Sequence, residues 1–379
     1  IYSDGALGGV KIQKELQRSR EATLEQAMLD VALDASIAYL NLLRAETQVQ
    51  VRRSNLDLTR TNLELAQSRR RIGTAGAAEV YRWESQIALD RRNLVDADAE
   101  ARSALVVLNR LLHEPLDREI RTVDLTTDDP RFSPGSGLLD GYIETPLHFK
   151  TLMEFSVDEA LEKSAEIRSI DAAIVAQERA VKVARRSNRV PTIAARATVD
   201  ETLDRSGAGS GPLPPGSPND TDWSLALSAT LPLYSGGEKR AERRKAELEL
   251  DELRLQREVI VEGVETSIRT AMLAARASFT SIGLADASAQ AAGKNLELVQ
   301  DAYARGAVSI IDLIDAQNSS LAADLAANEA VYNFFIDLMQ VQRASNRFDF
   351  FTSPGEREDW ARRVGEFFES RGVKPLGKP

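Results

Sequence analysis

Asp312 and Asp315 stand three residues apart, a spacing that places both carboxylates on one face of a helix. Carboxylates held together in this way repel one another, attract cations and respond to pH. By spacing alone the pair more simply suits a solvated helix start, where negative charge is favourable. Glu262 and Glu265 repeat the spacing and could be read as an acid–base pair, but they lie in a repetitive stretch that carries no pocket signal. Beyond carboxylates the raw material for chemistry is thin. Cysteine is absent and His113 and His148 are the only imidazoles, so disulfides, thiolate metal sites and a cysteine nucleophile are excluded. No catalytic residue, metal site or cofactor is expected. A formal charge of -10, a pI near 5.1 and no long basic block leave out the electrostatic footprint that nucleic-acid binding requires.

The elements that must position these residues come from an internal repeat. Residues 62–67 read NLELAQ and residues 295–300 read NLELVQ. Six residues after each motif comes a glycine, Gly73 or Gly306, and the same register pairs Glu79 with Asp312, Val80 with Leu313, Glu84 with Gln317 and Arg110 with Arg343. Upstream, the YSDG at Tyr2 echoes the YSGG at Tyr234. The chain therefore reads as a tandem duplication. Within each copy Ala, Glu, Leu, Arg and Gln predominate, and no proline occurs over residues 9–73 or 237–306. Apolar or small residues at Ala246, Leu250, Leu253, Ile260, Val264, Ser267 and Ala271, with Arg257 interrupting, predict a coiled-coil seam. Ile314, Asn318, Leu321, Leu325, Asn328, Tyr332, Phe335 and Met339 predict its return partner. Nearly seventy residues of helix would reach on the order of 100 Å, the dimension of a spacer or tube. Gly73-Thr74 and Gly306-Ala307 mark the helix-to-helix reversals, so each copy is expected to fold as a helical hairpin.

Between the helices of the second copy the period changes to two. Ile193, Ala195, Ala197 and Val199 alternate with Ala194, Arg196, Thr198 and Asp200; after a Gly/Pro-rich loop, Trp223, Leu225, Leu227, Ala229, Leu231 and Leu233 alternate with polar or small residues. Runs of this length suit either a hairpin half-buried on a core or tilted strands that cross a bilayer. No apolar run approaches the roughly 20 residues of a membrane helix, so a membrane crossing would have to use strands. Two strands cannot close a barrel, and lipid tolerates no open edge, so the membrane reading forces copies of the chain to share one barrel.

At the strand-to-helix junction LPLYSGGEKRAE (231–242), its shorter echo IYSDG, the tip segments RIGTAGAAEVYRWE (71–84) and YARGAVSIIDLIDAQ (303–317), and the helix ALVVLNRLL (104–112), the chain resembles the TolC-type outer membrane efflux proteins. The likeness runs to about residue 351. It implies a mainly α fold with a β-hairpin contribution, in which long antiparallel coiled-coil hairpins form two tandem repeats and three protomers complete a shared β-barrel. It also implies a passive duct in the outer membrane of a Gram-negative bacterium, working as a homotrimer with a periplasmic adaptor and, through it, an inner-membrane pump of a tripartite efflux or type I secretion system. Asp312 and Asp315 would ring the constricted periplasmic entrance, with Tyr303 and Glu79 locking neighbouring helices. The family's arginine position holds Val308, which leaves the lock short of a partner that Arg305 or Arg82 could replace. Gly73, Thr74, Gly306 and Ala307 would meet the adaptor. Ile193, Ala195, Ala197, Val199, Trp223, Leu225, Leu227 and Leu231 would face lipid.

The expected division is an N-terminally incomplete first repeat at 1–116, a connector forming a mid-tunnel belt at 117–155, a second repeat at 156–351 with its β-hairpin at 192–234, and a C-terminal tail at 352–379. That tail carries Trp360, Val364, Phe367 and Phe368 at near-helical spacing and suits either a short helix packed on the belt or a mobile end. The chain begins at Ile1 without a signal peptide, and the family's first helix and most of its first strand hairpin have no counterpart here, so the start of the protein is expected to be missing. The competing reading is a periplasmic coiled-coil adaptor or scaffold without a membrane barrel, for which no lipoyl-like domain is visible.

Overall fold

The computed structural model describes residues 4–123, 125, 145–187, 189–201, 221–231 and 234–374. Outside them lie the Tyr2-Ser3 echo, most of the Gly/Pro-rich loop, Pro232 and Leu233 at the expected end of the second strand, and much of the connector. The described chain is mainly helical: α1 (Asp4–Arg71), α2 (Ala77–Leu111), α3 (Pro146–Lys163), α4 (Ala165–Arg186), β1 (Thr192–Glu201), β2 (Thr221–Thr230), α5 (Glu238–Ala304), α6 (Ile310–Ala344) and α7 (Pro354–Ser370).

The duplication is reproduced in backbone detail. Helices α2 and α6 are both 35 residues long, and each boundary of α6 falls 233 positions after that of α2. Gly76 and Ser309, at equivalent positions, cap them with nearly the same extended backbone, φ/ψ of -85/165 and -82/164. At their far ends His113 and Asn346, again equivalent, take left-handed φ values of 55 and 52. Both long helices close in the same way: Gly73 (φ 81) and Gly306 (φ 75) donate to Arg70 and Tyr303 carbonyls, while Thr74 and Ala307 reach back to Arg69 and Ala302. This double bond requires a left-handed residue, which glycine supplies without a Cβ penalty.

The chain divides into two compact units, and α1 and α5 contribute a segment to each. In the first, made of Ile1–Glu25 and Ala165–Glu262, helix α4 packs Val181 against Ala246 and Leu250. Polar contacts line both sides of α4: Arg168 to Glu25, Ser169 to Ser19 and Thr23, Arg185 to Glu247, and Gln177 to Glu249. Arg257, which breaks the apolar seam, donates to Asp171 at 2.6 Å, so the interruption has a partner on α4. In the second unit, Gln26–Ser164 and Gly263–Pro379, the cores follow the helices in sections. Leu40, Leu43, Tyr332, Phe335, Met339 and Phe348 form one, and a second gathers Phe149, Phe155, Ile268 and Met272 of α3 and α5 with Trp360, Val364 and Phe368 of α7.

Two details of the seams differ from the expected spacing. Ile268 is buried where Ser267 was expected, and along the start of α6 the buried residues include Leu313, Gln317 and Ser320, one position before Ile314, Asn318 and Leu321. A one-residue shift turns the buried face by about 100° around the helix, toward the partners that the start of α6 meets: Leu313 packs in the cluster with Trp83 and Tyr303, and Gln317 bonds to Asn55, Thr59 and Asn62. Tyr332, Phe335 and Met339 are buried as expected.

Candidate functional site

The helix ends of the second unit meet in an apolar cluster of Ala66, Val80, Trp83, Leu296, Tyr303, Ile310, Leu313 and Ala316. Tyr303 is buried there, and its hydroxyl donates to Glu79 Oε2 at 2.9 Å, joining the end of α5 to the first turn of α2. Burial, then the adjacent Glu79 carboxylate, pushes the Tyr303 phenol above its ordinary value, which keeps it a hydrogen-bond donor. The arginine at this contact is neither Arg305 nor Arg82. Arg305 pairs with Asp301 of its own helix at 3.8 Å, and Arg82 is exposed. Arg69 takes the place: its guanidinium lies 4.5 Å from the Tyr303 ring centre, and its Nη1 donates to the Tyr303 carbonyl at 3.0 Å. That carbonyl also accepts from Gly306, and the Arg69 carbonyl accepts from Thr74. One side chain thereby ties the two reversals together. The repeat register aligns Arg69 with Ala302, immediately before Tyr303.

Gly73, Thr74, Gly306 and Ala307 are all exposed at these reversals. Asp312 and Asp315 are exposed too, on the side of α6 away from Leu313 and Ala316. Asp312 does local work as well: its Oδ2 accepts from the Ser309 amide at 2.9 Å and the Ser309 hydroxyl at 2.7 Å, a capping box that holds its carboxyl below the usual range. Behind the tip a buried polar chain runs across three helices. Gln317 donates to Asn55 and Thr59 and accepts from Asn62, and Thr59 donates to Asp90 at 2.6 Å. Spacing gave no sign of it: of these residues the repeat picks out only Asn62, at the start of NLELAQ, and Gln317, the counterpart of Glu84.

In the first unit, β1 and β2 pair antiparallel over their whole ten-residue lengths. The register sets Ile193 opposite Ala229, Ala195 opposite Leu227, Ala197 opposite Leu225 and Val199 opposite Trp223. Those rows make one continuous apolar face. The other face carries Thr192/Thr230, Ala194/Ser228, Arg196/Ala226, Thr198/Ser224 and Asp200/Asp222, with a Thr198–Ser224 hydroxyl contact at 2.5 Å. Val199, Trp223, Leu225 and Leu227 are 72–78% exposed in the single chain, and Leu231 just past β2 is exposed as well. Among the described residues no helix is long and apolar enough to cross a membrane.

Comparison with known proteins agrees with this arrangement. The chain is 25% identical over 322 residues to the pyoverdine export outer membrane protein OpmQ of Pseudomonas aeruginosa, an alignment covering 82% of this chain and 60% of that protein; the chain thus spans well under two thirds of the relative's length. Its fold is similar to that of the Campylobacter jejuni CmeC outer membrane channel, with a TM-score of 0.68 and 18% identity over 94% of this chain and 71% of CmeC. The open-state MtrE outer membrane channel of Neisseria gonorrhoeae matches with a TM-score of 0.69 and 20% identity, covering 90% of this chain and 71% of MtrE. The model of the outer membrane efflux protein family matches residues 156–347, the stretch that holds α4, the strand hairpin and the second long helical hairpin, and with half of its length so matched the chain belongs to that family.

Proposed function

We propose that this protein is a passive export conduit of a Gram-negative outer membrane, assembled as a homotrimer and coupled through a periplasmic adaptor to an inner-membrane pump. It catalyses no reaction in this reading. The observation that carries it is the in-register apolar face of the strand hairpin, exposed along its length with both edges unpaired among the described residues. An isolated two-stranded hairpin is marginal in water, whereas closure with hairpins of sister chains removes the edges and lets the apolar face meet lipid. Family membership and the channel folds it resembles support the same reading. On this reading Ile193, Ala195, Ala197, Val199, Trp223, Leu225, Leu227 and Leu231 contact lipid.

The helical tip serves as the entrance. Tyr303, Glu79 and Arg69 hold the two reversals of one protomer together, and symmetry multiplies the exposed Asp312 and Asp315 into a carboxylate ring that binds cations. Gly73, Thr74, Gly306 and Ala307 offer the adaptor a side-chain-poor surface. The cargo is a small molecule or polypeptide; pyoverdine export, the role in the name of the OpmQ relative, is one candidate. Extraction of the protein from outer membranes in detergent, followed by mass measurement, is expected to give a trimer. A monomer that stays soluble without detergent would refute the conduit.

A further inference from the structure

The polar face of the strand hairpin carries a charge that the conduit reading leaves unused. Its five rows are Thr192/Thr230, Ala194/Ser228, Arg196/Ala226, Thr198/Ser224 and Asp200/Asp222. Four of them hold hydroxyls, methyls or, at one end, a pair of aspartates; the central row holds Arg196. Its cross-strand neighbour is alanine, whose single methyl offers the guanidinium no polar partner. Among the described residues Arg196 forms no ion pair, and its side chain is exposed. The nearest carboxylates along its own face, Asp200 and Asp222, lie two rows away, about 13 Å along the strand at 3.3 Å per residue. That exceeds the roughly 8 Å screening length at physiological ionic strength, so they leave its charge standing. Arginine on the lipid side of a strand costs about 2–4 kcal/mol at mid-membrane. The strict alternation with Ile193, Ala195, Ala197 and Val199 therefore assigns Arg196 to the water-filled side of any closed barrel.

We propose that Arg196, repeated at one height by the symmetry of the assembly, forms a cationic ring in the barrel lumen that makes this section of the conduit selective for anions. The proposal rests on the conduit reading and adds a specificity-determining residue to it. A unit charge about 10 Å from an ion in water enriches the opposite sign about twofold, so three acting together give about eightfold unscreened and about twofold with the same roughly 8 Å screening. Rings of arginine or lysine select anions in other pores by the same physics. Asp200 and Asp222, at the strand ends, would act on cations at a separate height.

The test is single-channel recording of the purified full-length protein in planar bilayers under a KCl gradient. Arg196→Gln is expected to lower the chloride-over-potassium permeability ratio two- to eightfold, Arg196→Lys to keep it and Arg196→Glu to reverse its direction. Because the chain has no cysteine, Arg196→Cys offers a second route in an assembled channel. Attaching a positively charged thiosulfonate from the aqueous side should restore the ratio, and a negatively charged one should lower it further. Channels that conduct normally with an unaltered ratio in all these variants would overturn the anion ring while leaving the conduit intact. Wild-type protein that forms no channel at all would overturn the conduit reading itself.

Discussion

Replacing Glu159 with glutamine should loosen the C-terminal helix α7 from α3. Glu159 is 5% exposed and collects three donors: Trp360 Nε1 at 2.6 Å, Arg363 Nη2 at 2.7 Å and Lys163 Nζ at 2.7 Å. Burial pushes its carboxyl up, but the donors from Lys163, Arg363 and Trp360 outweigh it, and the group settles below the ordinary 4.5. Glutamine keeps the shape, removes the charge and turns one acceptor oxygen into a donor that must face another donor. Arg363 and Lys163, at 31% and 42% exposure, can turn to water, so each contributes little to the cost. The Trp360 N–H is buried, and leaving it or its equivalent unmet costs about 1–3 kcal/mol. With the weakened ion pairs the total is about 2–3 kcal/mol, which speeds local opening roughly 30- to 140-fold. The packing of Val364 and Phe368, the Phe155–Phe367 contact and Arg347 over the Trp360 ring remain, so α7 opens more often without being lost. Hydrogen exchange of residues 354–370 in the intact protein measures this. The lowered carboxyl also sets a sign: its stabilisation is present above the ordinary value and is lost as pH falls through the depressed one. Wild-type protection, corrected for intrinsic exchange, should therefore fall in acid, and that of the glutamine variant should fall less, its remaining acid dependence coming from the Glu356 capping box and Asp359 of α7. Exchange within about threefold of wild type at neutral pH, or an acid limb of equal depth in both proteins, would refute the reasoning.

At the tip, Tyr303→Phe removes a hydroxyl–carboxylate bond whose acceptor, Glu79, is half-exposed, a loss of about 1 kcal/mol of latching that should raise open probability about fivefold. Arg69→Ala should act more strongly, since it loses the ring contact and the carbonyl bond together; unchanged conductance in both variants would dismiss the latch. Asp312→Ala and Asp315→Ala should each weaken block by divalent cations. Only Asp312→Ala should also fray the start of α6, because its carboxyl is tied to Ser309. That capping contribution holds above the ordinary value of 3.8 and fades as pH falls through the lowered one, so helix content read by circular dichroism should drop further in strong acid in wild type than in Asp312→Ala. In the hairpin, Ser228→Cys should react with a membrane-impermeant maleimide and Leu227→Cys should not; equal labelling would contradict the assignment of faces.

Much of this protein is written locally. The repeat register, the proline-free helices, the two glycine reversals and the period-two strands are one-dimensional patterns, because helix and strand periodicity and the left-handed turn each depend on residues a few positions apart. The fold class and the family followed from them; the resemblance named Tyr303 and Glu79 as tip residues, and the structure joins them by a hydrogen bond. Tertiary structure decided what depends on how helices rotate and meet. It turned the seam of α6 onto Leu313, Gln317 and Ser320, brought Arg69 onto a tyrosine 234 positions away, and closed α7 over Glu159. It also set the strand register that unites the apolar residues of β1 and β2 on one side and leaves Arg196 on the other. Pairing across such separations is chosen by complementary packing and hydrogen bonding, and a single sequence records the participants of that choice without their partners.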